Sequence, residues 1–237
     1  MERYYKIAGL TVSMDTFGIT EERARKYLCE PTETVDMQVV SNWEAVKDRH
    51  PGFDANTGEY MSTAANFYKK LLDFEGMMLH SSTVVVDGRA YCFTADSGTG
   101  KSTHTDLWLK LFGERAYILN DDKPALRREG GVWYAYGTPW SGKHDISVDE
   151  RVPLGGIACL NRAAENRIEP FSGTAAIGAI FKQLNRPRDP ESRIKLLELL
   201  DKLIREVPVW QLHCNMDMEA AQIAYAAMSK GRKDQNG

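Results

Sequence analysis

The chain has 237 residues, of which 43% are hydrophobic and 27% charged, a composition typical of a folded globular protein rather than a disordered or fibrous one. The formal net charge at pH 7 is −3 and the basic residues are scattered, so we expect no nucleic-acid partner. No stretch approaches the roughly 18 apolar residues of a membrane span, and the N-terminus lacks the apolar run of a signal peptide. We therefore expect a cytoplasmic protein with no membrane partner.

The four cysteines, Cys29, Cys92, Cys159 and Cys214, are widely separated along the chain. They form neither a CxxC pair nor a spacing that suggests zinc. We therefore expect buried thiols in a reducing compartment.

The first third of the chain has the pattern of a small β layer. Residues 4–14 and 35–40 alternate in the manner of β-strands. Residues 62–74 carry apolar side chains at helical spacing and are followed by Gly76, which predicts a helix that ends there. We interpret residues 1–75 as a β-rich N-terminal segment packed on the main domain, where it either contributes to a binding site or covers one face of the sheet.

A β-hairpin is predicted around Asp87 and Gly88, which stand between two runs rich in β-branched and aromatic residues. An Asp-Gly pair suits a tight turn because glycine adopts positive φ at little cost. The second strand leads directly into a glycine-rich loop. The loop would therefore follow an antiparallel hairpin rather than the parallel strand of a βαβ unit.

The rest of the chain alternates helical and strand patterns, which predicts an α/β fold with a mixed sheet over residues 76–230 and a disordered tail at 231–237. The predicted helices are 101–112, closed by Gly113, and 174–184, 191–207 and 218–230, and the predicted strands are 116–122, 131–137, 155–160 and 209–214. In the helix at 191–207, we predict an apolar face through Ile194, Leu197, Leu200 or Asp201, and Ile204.

The glycine-rich loop at 95–102 matches the phosphate-binding pattern G-x-x-x-x-G-K-[ST] except that Ala95 replaces the first glycine. Alanine fits that position if its φ is negative. Backbone N–H groups in such a loop surround phosphates, the lysine reaches the terminal phosphates and the serine hydroxyl binds Mg²⁺. The predicted nucleotide-binding residues are Asp96, Ser97, Gly98, Thr99, Gly100, Lys101, Ser102 and Thr103.

Asp121 and Asp122 end the next apolar strand, where phosphate-loop enzymes carry a metal-binding carboxylate. Without the loop, such a pair is typical of a solvated turn or a helix cap. With the loop, one carboxylate is predicted to bind Mg²⁺ and the other to accept a proton from a hydroxyl substrate. An enzyme that only hydrolyses ATP would need the metal ligand alone.

The segments LHSSTVVVDGRAYCFTADSGTGKST, residues 79–103, and LNDDKPAL, residues 119–126, carry a family resemblance. They resemble the histidine-bearing strand, hairpin and loop, and the paired-aspartate segment, of the HPr kinase/phosphorylase and phosphoenolpyruvate carboxykinase group of P-loop proteins. The resemblance extends over about residues 77–160. It implies a mixed-sheet α/β kinase domain, and is strongest to the short, stand-alone relatives, some of which phosphorylate small molecules or peptides.

The resemblance also implies a role for each matching residue. Lys101 would contact the β- and γ-phosphates, Ser102 and Asp121 would hold Mg²⁺, Asp122 would be the general base, and His80 would lie beside that base. On its own, a histidine at the start of a strand is typical of a hydrogen-bonded core residue.

Two basic residues are candidates for neutralising charge in the transition state. Lys143 lies in a segment at 136–147 that is rich in glycine, proline and serine and could close over the phosphates. Arg162 follows the strand at 155–160 and is the weaker candidate.

These observations favour a kinase that uses ATP or GTP with Mg²⁺ and phosphorylates a hydroxyl group of a serine-type small molecule, a peptide or a protein. Two alternatives stay open. One is a nucleotide-binding regulatory or accessory protein with little turnover, which the alanine in the loop favours. The other, ranked last, is a carboxykinase acting on a four-carbon acid. The sequence leaves homo-oligomer formation open.

Overall fold

The computed structural model describes residues 3–230 and shows a mixed α/β fold, as the sequence predicts. The disordered tail predicted at 231–237 lies outside the described residues. Within the described part of the chain, no helix is long and apolar enough to cross a membrane.

The N-terminal segment combines three short strands with three helices. The strands are β1 (Arg3–Ile7), β2 (Leu10–Met14) and β3 (Met37–Val39), and the helices are α1 (Gly18–Ala24), α2 (Trp43–Arg49) and α3 (Ala55–Leu71). Residues 4–14 form a hairpin rather than one strand, because Ala8 and Gly9 turn the chain with φ of 52° and 76°. Helices α1 and α2 and the first two turns of α3 were not predicted from the sequence. The division of the chain at residue 75 stays a prediction.

The main sheet has nine strands, joined by parallel and antiparallel pairing. They are β4 (Gly76–Met78), β5 (Ser81–Val86), β6 (Arg89–Thr94), β7 (Ala116–Asp122), β8 (Ala125–Glu129), β9 (Val132–Tyr136), β10 (Arg151–Arg162), β11 (Arg167–Pro170) and β12 (Val209–Cys214). Their order is β4-β8-β9-β10-β6-β5-β7, with β12 between β10 and β11. The long strand β10 is antiparallel to β9 and parallel to β6 and β12. The mixed sheet predicted from the sequence is confirmed.

Helices cover both faces of this sheet. They are α4 (Lys101–Phe112), α5 (Gly173–Lys182), α6 (Pro190–Glu206) and α7 (Met218–Met228). One hydrophobic core lies under α5 and α6 and contains Val85 and Cys92, and a second lies under α4 and α7 and contains Val84 and Phe93. The central strands β5 and β6 are therefore buried on both faces.

The predicted hairpin and the helix after the loop are both confirmed. β5 and β6 pair antiparallel through a turn in which Asp87 and Gly88 have φ of 50° and 72°. Helix α4 has the predicted bounds and ends at Gly113, whose φ is 56°.

The apolar face predicted for α6 is wrong at Ile194 and Leu197, whereas Leu200 is buried and Ile204, which is half-buried, packs against the core. Ile194 and Leu197 are 58% and 47% exposed, whereas four leucines, Leu196, Leu199, Leu200 and Leu203, are at most 4% exposed and face the sheet. The leucines repeat without a gap at helical spacing, while Asp201 interrupts the predicted face. The uninterrupted set buries more apolar area and so faces the core.

The expectation of buried thiols holds for two of the four cysteines. Cys92 and Cys159 are buried, which raises the pKa of each thiol, to about 11 and about 12 respectively. Cys29 and Cys214 are only half-buried, because they lie near the ends of short elements at the surface.

We expect Leu203→Ala to lower the free energy of unfolding by about 2–5 kcal/mol, since it removes a fully buried side chain and leaves a cavity. Leu197→Ala, on the exposed side of the same helix, should change it by no more than about 0.5 kcal/mol. Urea denaturation of both variants measures the difference. Equal losses would show that α6 packs through the other face.

A buried carboxyl group lies between two helices of the N-terminal segment. Glu59 of α3 is fully buried and accepts a hydrogen bond from Thr20 Oγ1 of α1. Burial raises the pKa of Glu59 to about 7, because the charged form loses its hydration. Between these two pKa values, about 4.5 and about 7, Glu59 is therefore protonated in the folded protein and ionised in the unfolded chain.

We expect stability to fall as pH rises from about 4.5, the ordinary pKa of glutamate, through the raised pKa of about 7. The slope reaches up to about 1.4 kcal/mol per pH unit, since one proton is lost on unfolding. Glu59→Gln should remove this contribution, whereas Glu44→Gln, at an exposed position of α2, should leave it intact. Unfolding curves at intervals from pH 5 to 8 measure the slope, and an unchanged slope in Glu59→Gln would contradict the assignment.

Candidate functional site

The pairing of β5 brings the predicted site residues to one end of the sheet. Ser81 lies opposite Thr94 of β6 on one side and Asp122 of β7 on the other. The loop at 95–102 begins directly after Thr94. The loop and the two acids are therefore neighbours in space, although residues 103–120 separate them in sequence.

The glycine-rich loop joins β6 to α4 in the predicted context. Gly98 and Gly100 have φ of 78° and 115°, whereas Ala95 does not have a positive φ. The condition under which alanine can replace the first glycine is therefore met. Within residues 3–230, the backbone N–H groups of Ser97, Gly98 and Gly100 donate no hydrogen bond, so these donors remain for a ligand.

Arg162 acts on the loop from β10. Its Nε donates to the carbonyl oxygen of Thr99 at 3.0 Å, and its Nη2 donates to that of Gly98. The structure thus places this weaker candidate against the loop backbone, where it fixes two carbonyl groups.

Lys101 begins α4 and reaches back across the loop, where its Nζ donates to the carbonyl oxygen of Ala95 at 3.0 Å. Burial lowers the pKa of Lys101, although the nearby carboxylates of Asp122, Asp121 and Asp96 act in the opposite direction. A half-buried ammonium group among three carboxylates can gain a strong anionic partner at little further desolvation cost.

Ser102 and Asp121 are in direct contact. Ser102 Oγ donates to Asp121 Oδ1 and Oδ2 at 3.0 and 3.1 Å. The structure thus brings the two predicted Mg²⁺ ligands together from α4 and β7. No cluster of three or more His, Cys, Asp or Glu side chains suited to a metal occurs among the described residues.

Asp122 is held by two basic side chains. Its Oδ1 lies 3.1 Å from His80 Nε2, and its Oδ2 contacts Lys123 Nζ. Burial raises the pKa of Asp122, but the hydrogen bonds and charges of His80 and Lys123 outweigh burial and hold that pKa below its usual value. Its φ of 146° is rare outside glycine and costs about 1–3 kcal/mol, so the surroundings hold the residue in place.

A chain of hydrogen bonds links this acid to the loop through Gln183, at the end of α5. Gln183 Nε2 donates to Asp96 Oδ1 at 2.9 Å, so its Oε1 faces His80 Nδ1, at 3.1 Å. His80 therefore carries a proton on Nδ1. Sequence reasoning missed Gln183 and Lys123. The residues around Gln183 in the sequence give no indication of its contacts. The position of Lys123, directly after Asp121 and Asp122, could have predicted an ion pair with one of these acids.

The segment at 136–147 touches the acids through a glycine. A Cβ on Gly142 would lie 2.7 Å from Asp122 Cβ and 2.8 Å from the carbonyl oxygen of Asp121. The N–H of Gly142 donates to Tyr60 Oη of α3 at 3.1 Å. The N-terminal segment thus reaches the edge of the site.

Lys143 follows Gly142 in the chain but is not among the residues brought together around Asp122. Its side chain is exposed and makes no hydrogen bond or ion pair with the described residues. Its role in neutralising charge stays a prediction.

The remaining predicted nucleotide-binding residues are at least partly accessible to solvent. Asp96, Ser97, Gly98 and Thr103 are exposed, and Thr99 and Gly100 are half-buried.

Comparison with protein-family models and with curated protein sequences finds no match. Among solved structures, the HPr(Ser) kinase/phosphatase from Coxiella burnetii is similar over 68% of this chain and 93% of its own, with 13% identity and a TM-score of 0.40.

Gly142→Ala tests the close approach to the acids. We expect it to lower the free energy of unfolding more than Gly88→Ala does, by about 1–3 kcal/mol. Both glycines have nearly the same φ, 73° and 72°, but Gly88 has no atom within 4 Å of an added Cβ. The difference between the variants therefore isolates the collision with Asp121 and Asp122. Chemical denaturation measures both, and equal effects would mean that strain at positive φ is the whole cost.

Proposed function

We propose that the protein is an ATP-dependent kinase that uses Mg²⁺ to transfer the γ-phosphoryl group to a hydroxyl group of a serine-type small molecule, a peptide or a protein. The observation that carries the proposal is the position of Asp122. Asp121 contacts Ser102, and Asp122 supplies a second carboxylate, which His80 and Lys123 hold in place. Hydrolysis alone needs only a metal ligand, whereas transfer to a hydroxyl group also needs a base.

The loop supplies the phosphate site. The free N–H groups of Ser97, Gly98 and Gly100 donate to phosphate oxygens, and the N-terminus of α4 adds positive potential. Lys101 exchanges the carbonyl oxygen of Ala95 for the β- and γ-phosphates. The half-buried position of its ammonium group near carboxylates supports this exchange.

Ser102 and Asp121 are the residues that would hold Mg²⁺. Both offer oxygen atoms, which this cation prefers, and they are already within 3.1 Å of each other. Mg²⁺ commonly uses one or two protein ligands and completes its shell with phosphate oxygens and water, so two ligands suffice. The metal would neutralise charge on the phosphate oxygens. ATP and GTP offer the same phosphates to this part of the site.

Asp122 accepts the proton of the acceptor. With a pKa below its usual value, the Asp122 carboxylate is ionised at neutral pH and can accept a proton. As the acceptor O–H bond breaks, the proton moves to Asp122, the acceptor oxygen bonds to the γ-phosphorus, and ADP leaves with the electron pair of the broken P–O bond. His80 and Lys123 orient the carboxylate. Lys143, which is exposed, would neutralise charge on the transferring group if the segment at 136–147 closes over the phosphates.

One observation favours the second candidate, a nucleotide-binding regulatory protein with little turnover. Lys123 contacts Asp122 Oδ2 and His80 contacts Oδ1, so both oxygens of the proposed base have partners. An acceptor hydroxyl group must displace one of them or share an oxygen. A protein that only binds nucleotide has no such requirement.

We expect Asp122→Asn to reduce phosphoryl transfer by at least about 100-fold while leaving ATP affinity nearly unchanged, since the base acts on the acceptor. Transfer is followed with Mg²⁺ and γ-labelled ATP, once with free serine and once with size-fractionated extract, and affinity is measured by calorimetry. Lys101→Ala should lower both transfer and affinity.

Asp106→Asn, at an exposed position of α4, is the matched control and should change neither quantity. Equal loss of transfer and affinity in Asp122→Asn would contradict the role as base. ATP binding by the wild type with no label transferred to any fraction would favour the regulatory candidate.

A further inference from the structure

Arg23 of α1 is a mostly buried arginine whose guanidinium group makes no hydrogen bond with the described residues. Its side chain is 14% exposed. Within residues 3–230, its one ionic contact joins Nε to Asp145 Oδ1 at 3.6 Å, which is too long for a hydrogen bond. A guanidinium group carries five N–H donors, and burial removes most of the water that would accept from them. An arginine in this state indicates a partner that brings acceptor oxygens.

Arg23 lies close to the proposed base. Its Cζ is 5.2 Å from the centre of the Tyr60 ring, and Lys123 Nζ, which contacts Asp122 Oδ2, is 5.6 Å from the same centre. Burial raises the pKa of Tyr60, and the charges of Lys123 and Arg23 act against that rise. The two cations therefore share one ring, and Arg23 borders the side of the site on which an acceptor hydroxyl group meets Asp122.

Asp145 places a carboxylate beside Arg23 without satisfying it. Ser141 Oγ donates to Asp145 Oδ1 at 2.7 Å, and the same oxygen is 3.9 Å from Lys26 Nζ. The side chain of Asp145 is 42% exposed, and its φ of 51° is uncommon for a residue other than glycine. Since Asp145 has another hydrogen-bond partner and lies partly in solvent, a carboxylate with better geometry can replace it at Arg23.

We propose that Arg23 binds a carboxylate of the phosphoryl acceptor, and that this carboxylate takes the place of Asp145. The inference rests on the proposed function, since it requires an acceptor at Asp122. It narrows the acceptor to hydroxyl compounds with a carboxylate close to the hydroxyl group, either their own or that of a neighbouring residue in a peptide or protein. Arginine suits this role because its planar fork donates two parallel hydrogen bonds to the two oxygens of a carboxylate.

Blocking the carboxylate tests the assignment. The acceptors compared are free serine against serinamide, and size-fractionated extract before and after its carboxyl groups are amidated with carbodiimide and ammonia. With Mg²⁺ and γ-labelled ATP, we expect the wild type to label the amidated form of its acceptor at least about tenfold less. The serine arm reports a carboxylate of the acceptor molecule itself, and the peptide and protein fractions report one carried by a chain.

Two substitutions should change acceptor binding in opposite directions. Arg23→Ala should raise the KM for the acceptor at least about tenfold and label the amidated and unblocked forms alike. Asp145→Asn, which keeps an oxygen atom for Ser141, should lower that KM, since it removes the competing carboxylate. The KM for ATP should stay unchanged in both variants. Arg25→Ala is the matched control, since Arg25 is exposed two positions further along the chain, and it should change neither KM.

The outcomes distinguish the two proposals. Equal labelling of the two acceptor forms by the wild type would overturn the carboxylate assignment and leave the proposed kinase standing. The same holds if Arg23→Ala leaves the acceptor KM unchanged or raises it together with the KM for ATP, or if Asp145→Asn does not lower the acceptor KM. Transfer by the wild type to no fraction, with or without amidation, would overturn the proposed function and this inference with it.

Discussion

The pairing register of β5 is the constraint on which the candidate site depends. Ser81 and Ser82 each lie opposite a residue at the end of β6 and one at the end of β7, so the loop and the acids are placed by one strand. Every residue of β5 is buried, with Val84 and Val85 in the cores on opposite faces. A slip of one residue would turn each side chain to the other face, against helices it does not fit. Packing on both faces thus fixes the geometry of the site.

The parts of this arrangement that follow from neighbouring residues could be predicted from the sequence. The hairpin could be recognised because Asp87 and Gly88 supply the positive φ that its turn needs. Helix α4 could be bounded because Gly100 and Gly113 leave the helical conformation at its two ends. The approach of Ser102 and Asp121 followed from placing both at one end of a sheet, which the loop motif itself requires.

The parts that depend on distant residues could not be predicted. Gln183 meets His80 across 103 positions, and its own surroundings in the sequence give no sign of that contact. The buried face of α6 was only partly predicted because the helix has apolar residues on two sides, and the sheet beneath it selects the uninterrupted set of leucines. Helices α1 and α2 have only seven residues each, too few for a periodic pattern to stand out.

The strand order places different parts of the structure on the two sides of the glycine-rich loop. β7 brings the acids to one side of β6, and the ends of β10 and β12 border a cavity beside the loop on the other. If a nucleotide binds as we propose, its terminal phosphate lies on the side of the loop that carries Asp122, and the acceptor approaches from that side. The N-terminal segment borders that side, since Tyr60 accepts the N–H of Gly142 and lies under the ammonium group of Lys123. In that case, α3 and the segment at 136–147 border the acceptor.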